Sequence, residues 1–390
     1  MEMTNAIALD ADAAAVTPPV TEAKDKTGLP WGISPGLLAE VSSQLPHETS
    51  NGEGSFFAKY GLLLAGEVDA LCAREETSGK SGIIAGLIAP RSVSMLVGDS
   101  GIGKSPLAYQ LSLCVAAGIP FIGRAVQQGT VVYADYENSL DQSKCMREQI
   151  LRLLELPKAP DRFMLWTGDS GSSLQIEEIC HDVRPALLII DSLRAHNPHF
   201  EKTDHAGEEM KRLNTLCRKY GAGILAIHHT RKPKIDEGVP SLDNENTPLM
   251  LWLKETAGHG SIINQSHTRI AVGVPDLRRS HSQDAALVLR WHRRVQGEVG
   301  PIYLERICDE NGEPLGYRPL RDVKLLGNAE QEAAFAKLPP QFTFKEAKQA
   351  YVRADDPTRK WLVKCAAIGL VRQASRGRYS RTDSGDSGDT

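Results

Sequence analysis

The sequence predicts an α/β fold with a mainly parallel, twisted sheet, because short β-rich runs alternate with helical segments between residues 82 and 306. Two of these runs, "ALLIIDS" (186–192) and "ILAIHHT" (224–230), are almost continuously apolar, as strands covered on both faces must be. Between them, "GEEMKRLNTLCRKYGAG" (207–223) has helical spacing of apolar residues and a glycine stop. The chain of 390 residues is long enough to bury a large core.

The remaining elements follow from the same patterns. The first strand is "VSMLV" (93–97), and "PLAYQLSLCVAAG" (106–118) is a helix that ends at its glycine. Further strands are predicted at 130–137, 163–167, 268–274, 285–291 and 301–306.

The composition is typical of a soluble globular protein, with 41% hydrophobic and 24% charged residues and a formal net charge of −4. This charge does not indicate nucleic-acid binding by the chain as a whole. The seven cysteines are scattered singly, so neither a zinc site nor a disulfide framework is predicted. The amino-terminal residues lack a signal-peptide pattern, and no apolar run is long enough for a membrane span. We therefore expect a cytoplasmic protein without membrane attachment.

Residues 98–105, "GDSGIGKS", match the pattern G-x-x-x-x-G-K-[ST] between a predicted strand and a helix. The glycines allow backbone N–H groups to surround phosphates, and the helix amino terminus adds a partial positive charge. Lys104 is expected to contact the β- and γ-phosphates of ATP, and the Ser105 hydroxyl to bind Mg²⁺. The predicted nucleotide-binding residues are Gly98, Asp99, Ser100, Gly101, Ile102, Gly103, Lys104, Ser105 and Pro106.

Two acidic residues follow predicted strands and complete this prediction. Asp191 ends the apolar run "ALLIID", where a carboxylate is costly to bury unless it serves a cation, so we expect it to hold Mg²⁺. Glu137 ends "VVYADYE" and is the predicted base that orients and deprotonates the attacking water. Asp135, two residues earlier, is the alternative.

A histidine pair ends the run "ILAIHH". We expect His229 to contact the γ-phosphate or the attacking water, with His228 as the alternative. A shared metal site is not predicted, because neighbouring strand residues point to opposite faces.

The motifs "VGDSGIGKS", "VVYADYEN", "ALLIIDSLRA", "ILAIHHTRK" and "GHGSIINQSHTRIAV" occur in this order between about 90 and 275. Together they resemble the RecA-like ATPases of the RepA-type hexameric replicative helicase group. The resemblance implies a ring of identical subunits, a hexamer, with ATP bound between neighbours. It also implies that Glu137 is the catalytic glutamate and His229 the phosphate-sensing residue at a strand end.

The same resemblance gives a role to Arg269, which follows the Gly260–Ser261 pair and is similar to the arginine finger that reaches a neighbour's ATP. Arg293 or Arg294 is a second candidate for a cation acting in trans. The sequence departs from the family at His259, where an arginine is common, and in the long acidic segment 233–257.

After residue 328 the pattern changes to three short helices followed by a β-ribbon, which predicts a winged-helix domain over 328–382. Residues 341–382 contain ten Lys or Arg and three acidic residues. This domain is expected to bind duplex DNA through phosphate contacts, or to make protein contacts only. The predicted nucleic-acid contacts are Arg359, Lys360, Lys364, Arg372, Arg376, Arg378 and Arg381.

The predicted organisation is a disordered segment 1–54, an ATPase domain 55–325, the winged-helix domain and a flexible acidic tail 383–390. The leading hypothesis is an ATP-hydrolysing, Mg²⁺-dependent motor of the RepA helicase type in plasmid- or phage-like DNA replication, with single-stranded DNA in its channel. The alternative is a DNA-bound regulatory or recombinase-like ATPase that assembles with nucleotide but does not unwind. The predicted channel loops, 195–206 and 231–258, lack a strong basic track; Trp252 either stacks on a base or packs internally.

Overall fold

A computed structural model describes nine ranges of the chain: 82–167, 173–201, 203–231, 241–244, 247–258, 260–276, 284–294, 297–375 and 377–382. All of them lie in one compact unit, Leu64–Thr390. The predicted disordered segment, the acidic tail, His259 and Arg376 lie outside the described residues. The description below concerns the described ranges alone.

Within the described ranges, nine strands form one sheet. They are β1 Val93–Gly98, β2 Val131–Asp135, β3 Phe163–Trp166, β4 Leu187–Asp191, β5 Gly223–His229, β6 Thr268–Gly273, β7 Ala285–Arg293, β8 Gly297–Cys308 and β9 Pro314–Pro319. Their order is β3-β2-β4-β5-β1-β6-β7-β8-β9. The strands from β3 to β6 in this order pair in parallel, and β7, β8 and β9 add an antiparallel extension. The predicted α/β class with a mainly parallel sheet is confirmed, although β9 was not predicted.

The central strands β1, β2, β4, β5 and β6 are buried on both faces, because apolar side chains pack against both sides of the sheet. In β4, Leu188 and Ile190 belong to one apolar cluster, whereas Leu187 and Ile189 belong to the cluster on the opposite face. This alternation is the period of two expected for a strand. It explains why the run is apolar at every position rather than at every second one.

Seven helices accompany this sheet: α1 Lys104–Ala117, α2 Leu140–Leu153, α3 Ser173–Val183, α4 Leu193–His196, α5 Thr203–Tyr220, α6 Leu249–Trp252 and α7 Ser261–Asn264. Helix α1 begins after Gly103 and ends at Gly118, and both glycines adopt left-handed backbone angles. Helix α2 begins with a capping box between Ser139 and Gln142. Within the described ranges, every helix is too short or too polar to cross a lipid bilayer.

The register of the parallel strands determines where their carboxyl ends lie. Gly98 of β1 pairs with His229 of β5, and Asp135 of β2 pairs with Asp191 of β4. The last residues of four strands therefore meet at one edge of the sheet. In open α/β sheets this edge is where ligands bind.

The residues after β9 form a smaller unit. It contains α8 Ala329–Ala336, β10 Gln341–Thr343, α9 Phe344–Tyr351, α10 Asp355–Ala367, β11 Val371–Ser375 and β12 Arg378–Arg381. The three strands pair antiparallel in the order β10-β12-β11. Phe335, Trp361 and Cys365 are buried in its core, and the rings of Tyr351 and Trp361 lie 4.8 Å apart.

A buried glutamine ties α1 to β9. Gln110 Nε2 donates to the Tyr317 carbonyl at 2.7 Å, and the Tyr317 N–H donates to Gln110 Oε1 at 3.0 Å. We expect Gln110→Leu to lower the free energy of unfolding by about 2–4 kcal/mol, because two buried backbone groups lose their partner. Denaturant unfolding measures this loss.

The matched control is Gln128→Leu. Gln128 is exposed and donates to the Ala116 and Ala117 carbonyls at 3.2 Å. We expect a change of at most about 0.5 kcal/mol for this surface variant. Equal losses in the two variants would contradict the role assigned to Gln110.

Candidate nucleotide site

The glycine-rich turn lies between β1 and α1 and requires small residues at defined positions. A Cβ atom on Gly98 would lie 2.6 Å from the Val272 carbonyl oxygen. Gly101 and Gly103 have φ angles of 76° and 110°, which side chains rarely adopt. The turn therefore leads directly into the amino terminus of α1, where unpaired N–H groups can hold an anion.

Pro106 occupies the third position of α1. The first N–H groups of a helix have no partner within the helix, so the proline removes no hydrogen bond there.

Lys104 lies buried at the centre of the turn. Its Nζ donates to the carbonyls of Gly98 at 3.0 Å and Asp99 at 2.6 Å. Burial lowers the pKa of Lys104, whereas the nearby carboxylates of Asp191, Glu137 and Asp99 raise it. A buried cation surrounded by carbonyl groups is well placed to exchange these contacts for phosphate oxygens.

Glu137 and His229 are in contact at the carboxyl edge of the sheet. His229 Nε2 lies 3.3 Å from Glu137 Oε1, and its Nδ1 lies 3.3 Å from Lys104 Nζ. The Ser192 hydroxyl donates to the same Oε1. The hydrogen bond with His229 contributes most to holding the pKa of Glu137 at about 2, against the opposing effect of burial. The carboxylate is therefore ionised and faces the glycine-rich turn, residues 98–105, which we name the phosphate turn.

Asp135 has a different environment. Its carboxylate accepts hydrogen bonds from the Tyr109 and Ser143 hydroxyls, both at 2.9 Å. It also accepts from the Asn138 side chain and from the backbone N–H of Glu137 and Asn138. These bonds occupy the carboxylate and fix the loop that carries Glu137. Asp135 is thus a positioning residue in this structure, and Glu137 is the acid that faces the site.

Asp191 is almost fully buried beside the phosphate turn. Its Oδ2 accepts a hydrogen bond of 2.6 Å from the Tyr133 hydroxyl, whereas its Oδ1 is buried without a hydrogen-bond partner among the described residues. Burial raises the pKa of Asp191 to about 6, and the Tyr133 and Ser105 hydroxyls act in the opposite direction. A carboxylate oxygen without a partner, close to a hydroxyl group, fits the oxygen ligands that Mg²⁺ prefers.

His228 points away from this site. Its Nε2 lies 2.9 Å from the Ala257 carbonyl, and its ring packs edge-on against Phe200. Burial lowers the pKa of His228, which keeps the ring neutral. Of the two histidines, the structure brings only His229 to Lys104 and Glu137.

Arg269 lies at the opposite edge of the sheet, near the start of β6. It is buried; its Nε donates to the Ile263 carbonyl at 2.8 Å, and its Nη1 lies 3.1 Å from His292 Nδ1. Arg293 pairs in register with Thr268 at the same edge, and Arg294 follows. The structure therefore does not bring these arginines to the phosphate turn of their own chain.

Two open spaces adjoin the turn. A cleft of about 860 Å³ is lined by residues that include Glu137, Arg194 and His229. A second space of about 210 Å³ lies beside Gly103, between α2 and the β8–β9 hairpin, where Arg306 and Tyr317 form part of its wall. Ser192 and Tyr317 were not predicted from the sequence. Ser192 directly follows Asp191, which is a usable signal, whereas Tyr317 lies more than 200 residues from the turn.

The predicted nucleic-acid residues of the carboxyl-terminal unit have mixed environments. Arg359 and Lys360 are exposed on α10; Arg359 lies over the Phe344 ring, and Lys360 pairs with Asp356. Lys364 is half-buried, and Arg372 and Arg378 are exposed on β11 and β12. Arg381 instead donates to the Leu338 carbonyl and lies over Phe335. Trp252, in a predicted channel loop, is buried.

Comparison with known proteins is consistent with the motifs. Residues 62–234 match the model of a family described as AAA domain. The DNA repair protein RadA of Streptococcus pyogenes serotype M3 is 31% identical over 112 residues, which are 29% of this chain and 21% of RadA. The DNA repair and recombination protein RadB of Thermococcus onnurineus is 25% identical over 154 residues, 37% of this chain and 63% of RadB. The chain thus spans about a fifth of the length of the RadA relative.

A solved structure of the RadB recombinase aligns with 60% of this chain and 92% of its own, with a TM-score of 0.40 and 17% identity. The motifs, the family model over residues 62–234 and the RadA and RadB relatives support a RecA-like P-loop ATPase domain in this part of the chain.

Proposed function

We propose that the protein is a DNA-associated, recombinase-like ATPase whose assembly is controlled by its nucleotide state. The observation that carries this proposal is the convergence of Lys104, His229, Glu137 and Asp191 at one sheet edge. The names of the RadA and RadB relatives, which refer to DNA repair and recombination, support the DNA-associated part.

The chemistry follows from the groups at the site. Lys104 and the N–H groups of the turn would hold the phosphates, while Ser105 and Asp191 would hold Mg²⁺, which neutralises charge on the phosphate oxygens when bound. Glu137 would accept the proton of the attacking water, because its carboxylate is ionised and faces the turn. His229 contacts both Glu137 and Lys104, so it can transmit the state of the phosphate to β5.

The space beside Gly103 is the proposed place for the nucleobase. Its wall combines apolar side chains, such as Met146 and Ile150, with the Arg306 and Tyr317 side chains. Apolar and aromatic walls with a few polar groups are typical of such subsites.

We also propose that ATP lies between subunits and that Arg269 completes the site of a neighbour. The support is its position at the edge opposite the phosphate turn, with Arg293 and Arg294 beside it. To serve a neighbour, Arg269 would have to exchange its contact with His292 for one with phosphate. Mixing Arg269→Ala with Lys104→Ala subunits tests this: restored ATPase activity supports action in trans, and no activity at any ratio contradicts it.

The carboxyl-terminal unit is proposed to be a winged helix that binds duplex DNA. The support is its order of helices and strands, with α10 as the helix that faces DNA and the β11–β12 hairpin as the wing. Arg359→Ala and Lys360→Ala are each expected to reduce the salt dependence of duplex binding by about one phosphate contact. Fluorescence anisotropy at several salt concentrations measures this slope.

Lys337→Ala is the matched control for the DNA prediction, because Lys337 is an exposed cation at the end of α8. It should leave the slope unchanged. If all three variants lose the same affinity, binding depends on overall charge, and the role proposed for α10 is wrong.

A helicase of the RepA type is the second candidate. It is favoured by His229, which occupies the strand-end position that the family resemblance assigns to phosphate sensing and which contacts Glu137. Strand separation on a forked duplex distinguishes the candidates. ATPase activity stimulated by DNA without strand separation, in every assembly state, supports the recombinase-like proposal; ATP-dependent separation that is lost in Lys104→Ala supports the helicase.

A further inference from the structure

A second cavity, of about 370 Å³, lies between the ATPase domain and the carboxyl-terminal unit. Its walls come from the turn at 122–125, from the end of β9 and the two residues after it, and from Ala366, Ile368 and Gly369 at the end of α10. Among the described residues that line it, two are arginines, Arg124 and Arg321, and none is Asp or Glu. The cavity is therefore positively charged and distinct from the phosphate turn.

Arg124 enters this cavity from the ATPase domain. Its Nη1 donates to the Ala85 carbonyl at 2.9 Å, and its guanidinium carbon lies 4.5 Å from the centroid of the Trp291 ring. Its Nε is buried without a hydrogen-bond partner among the described residues. Burial lowers the pKa of Arg124, and no carboxylate among the described residues counteracts this effect. For this half-buried guanidinium, an Nε–H group that is itself buried without a described partner is costly unless an acceptor binds there.

Arg321 reaches the same space from the loop that follows β9. A Cβ atom on Gly369 would lie 3.4 Å from Arg321 Cγ and Nε, and one on Gly123 would lie 3.9 Å from its Nη2. The exposed side chain of Arg321 thus extends from the loop after β9, past Gly369, to the residue next to Arg124. Two guanidinium groups that line one space can donate several hydrogen bonds to the oxygens of a phosphate.

The other walls of the cavity are apolar and include Ile122, Ile302, Leu320 and Ile368. A ligand that fits both the arginines and the apolar walls carries a phosphate and a flat or apolar group. We propose that this cavity binds a phosphorylated ligand of mononucleotide size, a nucleoside monophosphate, with its phosphate between Arg124 and Arg321. Since its walls belong to two parts of the fold, the ligand holds the carboxyl-terminal unit against the ATPase domain. The proposal is independent of ATP hydrolysis.

Calorimetric titration of the full chain with AMP tests the proposal. The Lys104→Ala background impairs the phosphate turn, so the remaining binding reports the second cavity. Arg321→Ala is expected to weaken AMP binding at least about tenfold, because one of two charged hydrogen-bonding groups is lost. Arg318→Ala, an exposed arginine on β9 outside the cavity, is the matched control and should bind as the parent does.

Arg124→Lys is the second variant, because it retains the charge and some of the packing against Trp291. It should weaken AMP binding severalfold without lowering the midpoint of thermal unfolding by more than a few degrees. Inorganic phosphate should compete with AMP. Unchanged affinity in Arg321→Ala, or AMP binding that disappears with Lys104→Ala, overturns the proposal; binding of phosphate without AMP overturns its nucleoside part.

Discussion

Glu137→Gln is expected to lower the kcat of ATP hydrolysis by about 10²- to 10⁴-fold while ATP binding is retained. The substitution keeps the size of the side chain and an oxygen that can accept from Ser192, but it removes the group that accepts the water's proton. Single-turnover hydrolysis, together with equilibrium binding of a fluorescent ATP analogue, separates the two effects.

Asp135→Asn is the control for this prediction. Asp135 accepts hydrogen bonds from the Tyr109 and Ser143 hydroxyls and from Asn138, so an amide group would place a donor against donors. We expect a loss of stability of about 3 kcal/mol. If Asp135→Asn left stability intact and abolished hydrolysis, while Glu137→Gln remained active, the assignment of the base would be reversed.

Asp191→Asn is expected to stabilise the nucleotide-free protein at neutral pH and to abolish Mg²⁺-dependent hydrolysis. Burial raises the pKa of Asp191 from 3.8 to about 6. This group therefore contributes stability while it is protonated, and the contribution is lost as the pH rises through about 6. Above that pH, the asparagine avoids burying a charge and should raise the free energy of unfolding by about 3 kcal/mol.

Denaturant unfolding at pH 7.5 and at pH 5 measures the effect, which should shrink at the lower pH. Asp243→Asn is the matched control. Asp243 is also buried, but its carboxylate accepts from the Ser241 hydroxyl and from the backbone N–H of Asp276. The Asp243→Asn variant should therefore be no more stable than the parent protein. An Asp191→Asn protein that is less stable than the parent at pH 7.5 would show that Tyr133 and its surroundings favour the charged carboxylate.

The sheet and the residues at its carboxyl edge could be predicted because the information is local. Each central strand is a continuous apolar run, and the polar residues at its end are visible directly in the sequence, as with Asp191 and His229. Parallel pairing then brings these ends together without any further information. The same argument predicted the placement of Glu137 at this edge.

Contacts between distant segments could not be predicted in this way. The choice between Asp135 and Glu137 depends on Tyr109 and Ser143, which reach Asp135 from two helices. The burial of Arg269 depends on the antiparallel partner β7. Nothing in the spacing of Arg124 and Arg321 indicates that they share a cavity, because β8 and β9 must first pair and bring the second arginine back.

Strand β9 gives the phosphate turn and the carboxyl-terminal unit a short mechanical connection. Tyr317 on β9 lies against Gly103 and is anchored by Gln110, while Arg321, four residues later, already lines the second cavity. In an extended chain this separation is about 13 Å. A displacement of the carboxyl-terminal unit would therefore reach the phosphate turn through one short extended segment that is paired in the sheet.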